Sequence, residues 1–431
     1  MQIHLKTLGC RLNEAELETW AQAFQARGHN ITRNVHDAQL VVVNSCAVTQ
    51  DAVKKSRQLI RRIHRDNPQA KLVVSGCYAT LNETEAAQML GVDLIVGNQD
   101  KNRLVEKTLS ELNLDTMPVM SSEPGDVSLF NRGRQRAFVK VQDGCRYRCT
   151  FCIVTVARGE ERSRSIQEVV DEVNALHGQG VNEAVITGVH LGGYGSDIGS
   201  HLVELIQAIL KHTAIPRLRM GSLEPWELPD GFFELFQNPR LMPHLHLPLQ
   251  SGSDSVLRRM ARRCKTAEFA ELVAKARQTI PHCNITTDII VGFPGETEAE
   301  WQESIAYIER IGFGHIHIFS YSPREGTKAA GLPNPVANDI KRRRSRELHT
   351  LAERMNAATV ADNLGRDCVV LWEGQSEMLA SGKTRYFGYT PNYLRVACDV
   401  DADTMLENQM RTARLSSPGQ GFIHVALTER R

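Results

Sequence analysis

Three closely spaced cysteines form the most reactive group in the sequence. Cys145, Cys149 and Cys152 have three and then two residues between them, and they follow an apolar stretch, 137–141, that predicts a strand. Three thiolates at this spacing can surround one metal centre and leave a position open. Cubane iron–sulfur clusters are held by cysteine thiolates, usually four. The alternative, a zinc knuckle, needs another Cys or His nearby, and the loop contains no histidine. The spacing favours an iron–sulfur cluster with one open iron.

Three further cysteines are far apart in sequence but share a position. Cys10, Cys46 and Cys77 each follow a predicted strand. In an open parallel sheet, the loops after the strand ends line the ligand crevice, so we expect the three thiols to converge. Gly9 and Gly76 precede two of them, which suits a sharp backbone turn beside a bulky ligand. The pattern predicts a second cluster with three protein ligands. The alternative is three buried cysteines that happen to follow strands.

The amino-terminal part alternates strands and helices. Strands are predicted at 2–8, 39–44, 71–75 and 93–96, and helices at 14–26, at 51–65, from about 82 and from 99. Strands alternating with helices of this length indicate a doubly wound parallel sheet.

The central part repeats this alternation, and the pattern then changes. Six strands are predicted at 137–142, 183–188, 217–222, 244–248, 285–291 and 315–319, and helices at 165–178, 200–212, 253–261, 266–280 and 297–311. Six such units suggest a partial barrel, with polar and Gly-rich segments at the carboxyl-terminal strand ends, where barrels place their sites. A helix is predicted at 341–358, and short strands follow at 368–372, 384–390, 393–398 and 421–427. These favour a small five-stranded β-barrel.

Composition sets limits on function. The chain has 431 residues, of which 42% are hydrophobic and 23% charged, and a formal net charge of +1. This length allows two or three domains, and nucleic-acid binding would depend on local basic patches. Without an amino-terminal apolar stretch or a run of about 18 apolar residues, we expect a cytoplasmic protein. In a reducing compartment its cysteines are more often metal-binding or catalytic than disulfide-forming.

Both cysteine sets together resemble one enzyme family. The resemblance rests on Thr7-Leu8-Gly9-Cys10, Asn44-Ser45-Cys46-Ala47-Val48-Thr49, Ser75-Gly76-Cys77-Tyr78-Ala79 and the later triplet, in this order. The arrangement resembles the radical-SAM methylthiotransferases, which use S-adenosyl-L-methionine (SAM). The resemblance implies an enzyme that adds a methylthio group to an unactivated carbon, with SAM and two [4Fe–4S] clusters. One cluster would be held by Cys10, Cys46 and Cys77, and the other by Cys145, Cys149 and Cys152.

The resemblance also implies a SAM site and a fold. The residues expected to bind SAM are Phe151, Gly188, Gly192, Glu224, Gln250, Ser251, Gly292 and Phe293. The implied fold is α/β, with an amino-terminal doubly wound parallel sheet domain (1–113), a central radical-SAM partial (β/α)6 barrel (131–360) and a small TRAM-like β-barrel (361–431). In that last domain, Arg385, Tyr389 and Tyr393 suit stacking on unpaired bases, although such aromatics are as often core residues.

The substrate and partners follow from the branch of the family. Cys77-Tyr78, 187–195 and 222–225 resemble the MtaB branch, which acts on carbon 2 of N6-threonylcarbamoyladenosine beside the anticodon of transfer RNA. The alternatives are isopentenyladenosine in tRNA, a ribosomal-protein aspartate and, remotely, a non-enzymatic iron–sulfur RNA-binding protein. The implied partners are tRNA, a sulfur donor and a low-potential electron donor of flavodoxin or ferredoxin type, with no membrane or DNA partner.

Overall fold

The structure is a computed structural model, and it describes residues 1–112 and 135–428. The predicted domain boundaries at 113, 131 and 431 lie outside these residues. Within them the backbone forms two compact units. The first contains residues 1–112, 143–162 and 322–330, and the second contains 135–142, 163–321 and 331–428. The first unit therefore includes both the amino-terminal sheet and the loop that carries the cysteine triplet.

The first unit is built on a five-stranded sheet in which every pairing is parallel. Its strands are β1 (Gln2–Thr7), β2 (Asn30–Thr32), β3 (Leu40–Ser45), β4 (Lys71–Gly76) and β5 (Leu94–Val96), in the spatial order β2-β1-β3-β4-β5. The four predicted strands are confirmed, and the short edge strand β2 was missed. The three strands followed by cysteines are neighbours in the sheet.

Helices cover both faces of this sheet, as a doubly wound fold requires. They are α1 (Arg11–Gln25), α2 (Gln50–Asp66), α3 (Cys77–Leu81), α4 (Glu83–Ala87), α5 (Leu104–Glu111) and α6 (Val154–Arg158). Val42 packs in one core with Trp20 of α1, and Val41 packs in another core with Ile60 of α2. Alternate strand residues thus bury opposite faces.

The second unit contains the predicted central strands and helices. The strands are β6 (Arg136–Asp143), β7 (Arg162–Ser163), β8 (Glu183–Gly188), β9 (Arg217–Met220), β10 (His244–His246), β11 (Asn284–Val291) and β12 (His315–Ser320). The helices are α7 (Ile166–Gly178), α8 (Leu202–His212), α9 (Asp254–Arg259), α10 (Thr266–Thr279), α11 (Glu298–Ile311) and α12 (Asn338–Asn363).

The central strands form two hydrogen-bonded sheets, of order β7-β6-β8-β9 and β10-β11-β12. Parallel bridges at Leu218–Leu241 and Ser222–His246 connect β9 to the β10 side. The result is the predicted partial barrel of six main strands. One large hydrophobic core holds the strands against the helices, with Leu205 of α8, Phe269 of α10 and Trp301 of α11 fully buried in it.

The carboxyl-terminal strands close into a barrel of order β13-β14-β15-β17-β16. They are β13 (Asp367–Met378), β14 (Thr384–Tyr389), β15 (Arg395–Val400), β16 (Met410–Pro418) and β17 (Ile423–Leu427). The five-stranded barrel is confirmed, although only four of its strands were located from the sequence. None of the helices in residues 1–112 and 135–428 has the length and apolar character needed to span a membrane.

Candidate active site

The first unit brings the three dispersed cysteines together at one sheet edge. Cys10 precedes α1, Cys46 follows β3, and Cys77 begins α3 directly after β4. Burial raises the pKa of the Cys46 thiol, and the charges of Cys77 and Cys10 raise it further. Strands β1, β3 and β4 are parallel neighbours in the sheet, so the three cysteines follow adjacent strand ends at the same edge. The convergence predicted from the strand ends is therefore present.

Two glycines allow the close backbone approaches beside these cysteines. Gly9 has φ +113°, and a Cβ placed there would lie 2.8 Å from Sγ of Cys46. Gly76 has φ +99°, and a Cβ there would lie 2.2 Å from the Ser45 carbonyl oxygen. Only glycine adopts such backbone angles at low cost, so both positions require it.

The cysteine triplet occupies a tight loop in the same unit. The Cys145 N–H donates to the Gly159 carbonyl at 3.1 Å, and the Cys152 N–H donates to the Cys149 carbonyl at 3.0 Å. The Val154 N–H donates to Sγ of Cys152 at 3.4 Å. All three thiols are half-buried. Thiolate ligands of iron–sulfur clusters accept hydrogen bonds of this kind, so the donor set and the loop fit a cluster.

A buried guanidinium connects the surroundings of the two cysteine sets. Arg158 donates to Glu16, Asp143 and Asn13, each at 2.9 Å. Burial opposes its charge, yet the Glu16 and Asp143 carboxylates hold the pKa of Arg158 well above its ordinary value. Asn13 and Glu16 lie in the helix after Cys10, and Asp143 lies two residues before Cys145. The guanidinium thus fixes these segments relative to one another.

Two more side chains extend this network to the other cysteine loops. Lys101 donates to Glu16 at 2.5 Å and to Asn44, two residues before Cys46, at 3.1 Å. Asn98 donates to the Ala157 carbonyl at 2.6 Å and approaches Sγ of Cys77 at 3.7 Å. Glu16, Lys101 and Asn98 were not predicted as site residues from the sequence. The sequence pattern could have identified Glu16, because this charged residue lies on the buried, apolar face of α1 with Leu17 and Trp20.

The second unit places the expected SAM residues after the central strands. Gly188 ends β8, and the Gly192 N–H points to the Glu224 carboxylate at 3.4 Å. Burial raises the pKa of Glu224, and the charge of His190 offsets part of this effect. His190 is fully buried, and its Nε2 lies 2.5 Å from Oε2 of Glu227. His190 and Glu227 are additional polar residues of this site.

The remaining expected SAM residues cluster around β11. Gln250 adopts φ +78°; its N–H donates to the Asp288 carbonyl at 2.8 Å, and its carbonyl accepts from the Ile290 N–H at 2.9 Å. Ser251 is buried beside it. Gly292 has φ +74°, and Phe293 packs edge-on against Tyr321 at 5.3 Å. The other predicted residue, Phe151, lies in the first unit and is half-buried. Within the second unit, the seven expected residues thus form two groups at carboxyl-terminal strand ends.

Comparison with known proteins decides the family. Residues 2–97 match the family described as "Uncharacterized protein family UPF0004", and residues 139–308 match the radical SAM superfamily. The chain is 38% identical over 378 residues to the threonylcarbamoyladenosine tRNA methylthiotransferase MtaB of Thermotoga maritima, covering 86% of each chain. It is 35% identical to the Bacillus subtilis protein of the same name, covering 90% of this chain and 88% of that one. The chain belongs to the radical-SAM methylthiotransferase family.

Other similarities agree with this membership. The tRNA-2-methylthio-N(6)-dimethylallyladenosine synthase of Bacillus subtilis is 33% identical over 392 residues, covering 87% of this chain and 77% of that one. Among solved structures, the radical SAM methyltransferase TsrM of Kitasatospora setae aligns with a TM-score of 0.58 at 16% identity, covering 76% of this chain and 77% of that one. This likeness shows the fold. The radical-SAM methylthiotransferase is an enzyme whose cofactors are SAM and [4Fe–4S] clusters.

Proposed function

We propose that this radical-SAM methylthiotransferase adds a methylthio group to carbon 2 of N6-threonylcarbamoyladenosine beside the anticodon of tRNA. The observation that carries the proposal is the presence of two three-cysteine sets in one compact unit. The choice of nucleoside is supported by the relatives named MtaB, at 35% and 38% identity. The dimethylallyladenosine synthase of Bacillus subtilis is 33% identical, and the match covers 77% of its length, compared with 88% of the MtaB protein of the same organism.

The six cysteines are the proposed cluster ligands. Cys10, Cys46 and Cys77 would hold one [4Fe–4S] cluster, and Cys145, Cys149 and Cys152 would hold the other. When bound, these groups supply the electron that cleaves SAM and the sulfur that is transferred. Carbon 2 of adenine carries only an aromatic C–H bond, and no side chain can replace that hydrogen with sulfur. The protein therefore contributes the binding and orientation of the reacting groups.

The chain's own residues would orient SAM and the thiolates. Glu224 would accept hydrogen bonds from the ribose hydroxyls, and the buried His190 lies 3.8 Å from Glu224 and 2.5 Å from Glu227. The other proposed SAM contacts are Phe151, Gly188, Gly192, Gln250, Ser251, Gly292 and Phe293. Arg158 would place positive charge near Cys77 and Cys10, whose thiolates favour its charged form.

The domain assignment and partners belong to the same proposal. The domains are the methylthiotransferase amino-terminal domain (1–113), the radical-SAM core (131–360) and a TRAM-like substrate-binding barrel (361–431). We propose that the enzyme acts in the cytoplasm on tRNA, with a sulfur donor and a flavodoxin- or ferredoxin-type electron donor, and without a membrane or DNA partner. The net charge of +1 fits binding through local basic patches rather than a global field.

A nucleoside assay tests this function. Wild-type protein, Cys46→Ala and the control Cys264→Ala are expressed in bacteria lacking their own enzyme for 2-methylthio-N6-threonylcarbamoyladenosine. Nucleosides from digested tRNA are then weighed by mass spectrometry. We expect the methylthio product with wild type and Cys264→Ala, and none with Cys46→Ala. The ribosomal proteins of the same cells are weighed as well. If the added protein increases only methylthio-dimethylallyladenosine, or only a methylthio group on a ribosomal-protein aspartate, the choice of substrate is wrong.

A further inference from the structure

The strands of the second unit carry a group of histidines that belongs to neither cysteine set and to none of the expected SAM residues, although the Gln250 N–H donates to the Asp288 carbonyl at 2.8 Å. One face of β10–β12 lies in the hydrophobic core, through Leu245, Leu247, Ile285, Ile289 and Ile316. Successive strand residues point to opposite faces. His246, Asp288 and His317 therefore lie together on the other face of three neighbouring parallel strands.

The distances within this group suit one shared ion. Nε2 of His246 lies 3.2 Å from Oδ1 of Asp288, and the rings of His246 and His317 have centroids 5.5 Å apart. One ligand atom from each of the three side chains lies within 4.8 Å of the others. Neighbouring ligands on an ion with bonds of about 2.1 Å lie about 3 Å apart. The His246–Asp288 pair already has this spacing.

A hydrogen bond behind the group orients the central imidazole. Nδ1 of His246 lies 2.9 Å from Oγ1 of Thr286, which also lies 3.1 Å from Nε2 of His244. His244 is buried and stacked on Tyr393 at 4.9 Å. Histidines that bind metals characteristically hydrogen-bond through the other ring nitrogen, which fixes the orientation of the ring. His246 therefore presents Nε2 toward Asp288 with its ring held.

We propose that His246, Asp288 and His317 bind a divalent transition-metal ion. Two imidazoles and one carboxylate are a ligand set that such ions favour, and three protein ligands leave further positions open. With neutral imidazoles the group carries one negative charge, which attracts a cation. The open positions would accept an oxygen ligand such as a carboxylate or hydroxyl group. This site uses none of the six cysteines, so the proposal stands independently of the proposed function.

Zinc binding by the reconstituted holoprotein tests the site. Wild type, His317→Gln, Asp288→Asn and the control His349→Gln, an exposed histidine on α12, are dialysed anaerobically against a series of Zn²⁺ concentrations. Zinc and iron are then measured in the same samples. We expect wild type and His349→Gln to bind about one zinc per chain more than the other variants. Apparent affinity at this site should fall at least about tenfold in either variant.

Iron content separates the proposal from misfolding. The His317→Gln and Asp288→Asn proteins should retain the iron content of wild type, because neither residue belongs to a cysteine loop or to the first unit. If all four proteins bind the same amount of zinc with the same affinity while their iron contents are equal, the proposal is wrong. If a variant loses iron, His246→Gln takes its place. Its zinc and iron contents are measured in the same way, and equal zinc binding at equal iron content again means that the proposal is wrong.

Discussion

Nη1 of Arg158 lies 2.9 Å from Oε1 of Glu16, and the side chains of both residues are almost completely buried. Glu16 belongs to the helix that begins after Cys10, whereas Arg158 ends the short helix after the cysteine triplet. This ion pair therefore connects two helices, each of which adjoins a cysteine set, although the two sets are far apart in sequence. Removing one partner of a buried pair leaves an uncompensated charge in a medium of low dielectric.

Replacing Arg158 should destabilise the first unit. Arg158→Met should lower the free energy of unfolding by about 3–5 kcal/mol, because Glu16 and Asp143 would then remain buried without their guanidinium. Urea denaturation of the anaerobically purified protein measures this change. The matched control is Arg103→Met, whose pair with Glu106 is solvent-exposed and should not contribute measurably. Equal effects of the two substitutions would contradict a supporting role for Arg158.

The two cysteine sets should fail in different ways. Cys149→Ala should abolish the reductive cleavage of SAM, because the proposed SAM-binding cluster would lose a ligand. Cys46→Ala should leave SAM cleavage possible but stop formation of the methylthio product. Chromatographic detection of 5′-deoxyadenosine and of the modified nucleoside, with Cys264→Ala as control, separates the two effects. If Cys46→Ala forms the methylthio nucleoside at the yield of wild type, the assignment of two clusters is wrong.

Two glycines with positive φ provide a matched test of the space around Cys46. Gly9→Ala places a Cβ 2.8 Å from the sulfur of Cys46, whereas Gly28→Ala, at φ +80°, meets nothing within 4 Å. Both substitutions strain the backbone by roughly 1 kcal/mol. Only Gly9→Ala should reduce iron bound per chain after reconstitution. Comparable iron in the two variants would show that the close approach at Gly9 does not serve a cluster.

The raised pKa of Glu296 predicts that the stability of the second unit depends on pH. Burial raises the pKa of Glu296 to about 7, although Arg344 and the Gly292 N–H favour its charged form. The folded protein then binds this proton more tightly than the unfolded chain. The stability that the protonated carboxyl contributes is present below about pH 4.5 and is lost as the pH rises to about 7.

Denaturation between pH 4.5 and 8 measures this contribution. The free energy of unfolding of wild type, minus that of Glu296→Gln, should fall as the pH rises through this window. Glu309→Gln is the matched control, because the Glu309 side chain is 55% exposed and lies in α11, the helix that follows Glu296. A wild-type minus Glu296→Gln difference that stays constant with pH would contradict the raised pKa.

The sequence predicted the convergence of Cys10, Cys46 and Cys77 because strand order and the parallel-sheet rule determine where loops meet. It could not predict the network of Glu16, Lys101 and Arg158. Isolated charged residues are usually exposed, and only tertiary contacts place these three in the interior. The helix containing Glu16 was predicted to begin at residue 14, and its actual start at Arg11 brings Asn13 within reach of Arg158.

The carboxyl-terminal barrel shows the same limit. Its closure was predicted from short strands, but its aromatic and basic side chains already contact one another within the second unit. Tyr389 stacks on Tyr393 at 4.8 Å, with Arg136 over both rings. Arg385 pairs with Asp399 at 2.6 Å. Alternation along a strand does not identify the side chains that face solvent once the barrel packs against other strands.

Iron and acid-labile sulfide per chain test the central claim, that six cysteines hold two clusters. They are measured after anaerobic reconstitution of wild type and of the triple variant Cys145→Ala/Cys149→Ala/Cys152→Ala. Two cubane clusters predict about eight irons in wild type and about four in the variant. A fall from about four irons to none would mean that Cys10, Cys46 and Cys77 hold no cluster, and it would contradict the proposed mechanism.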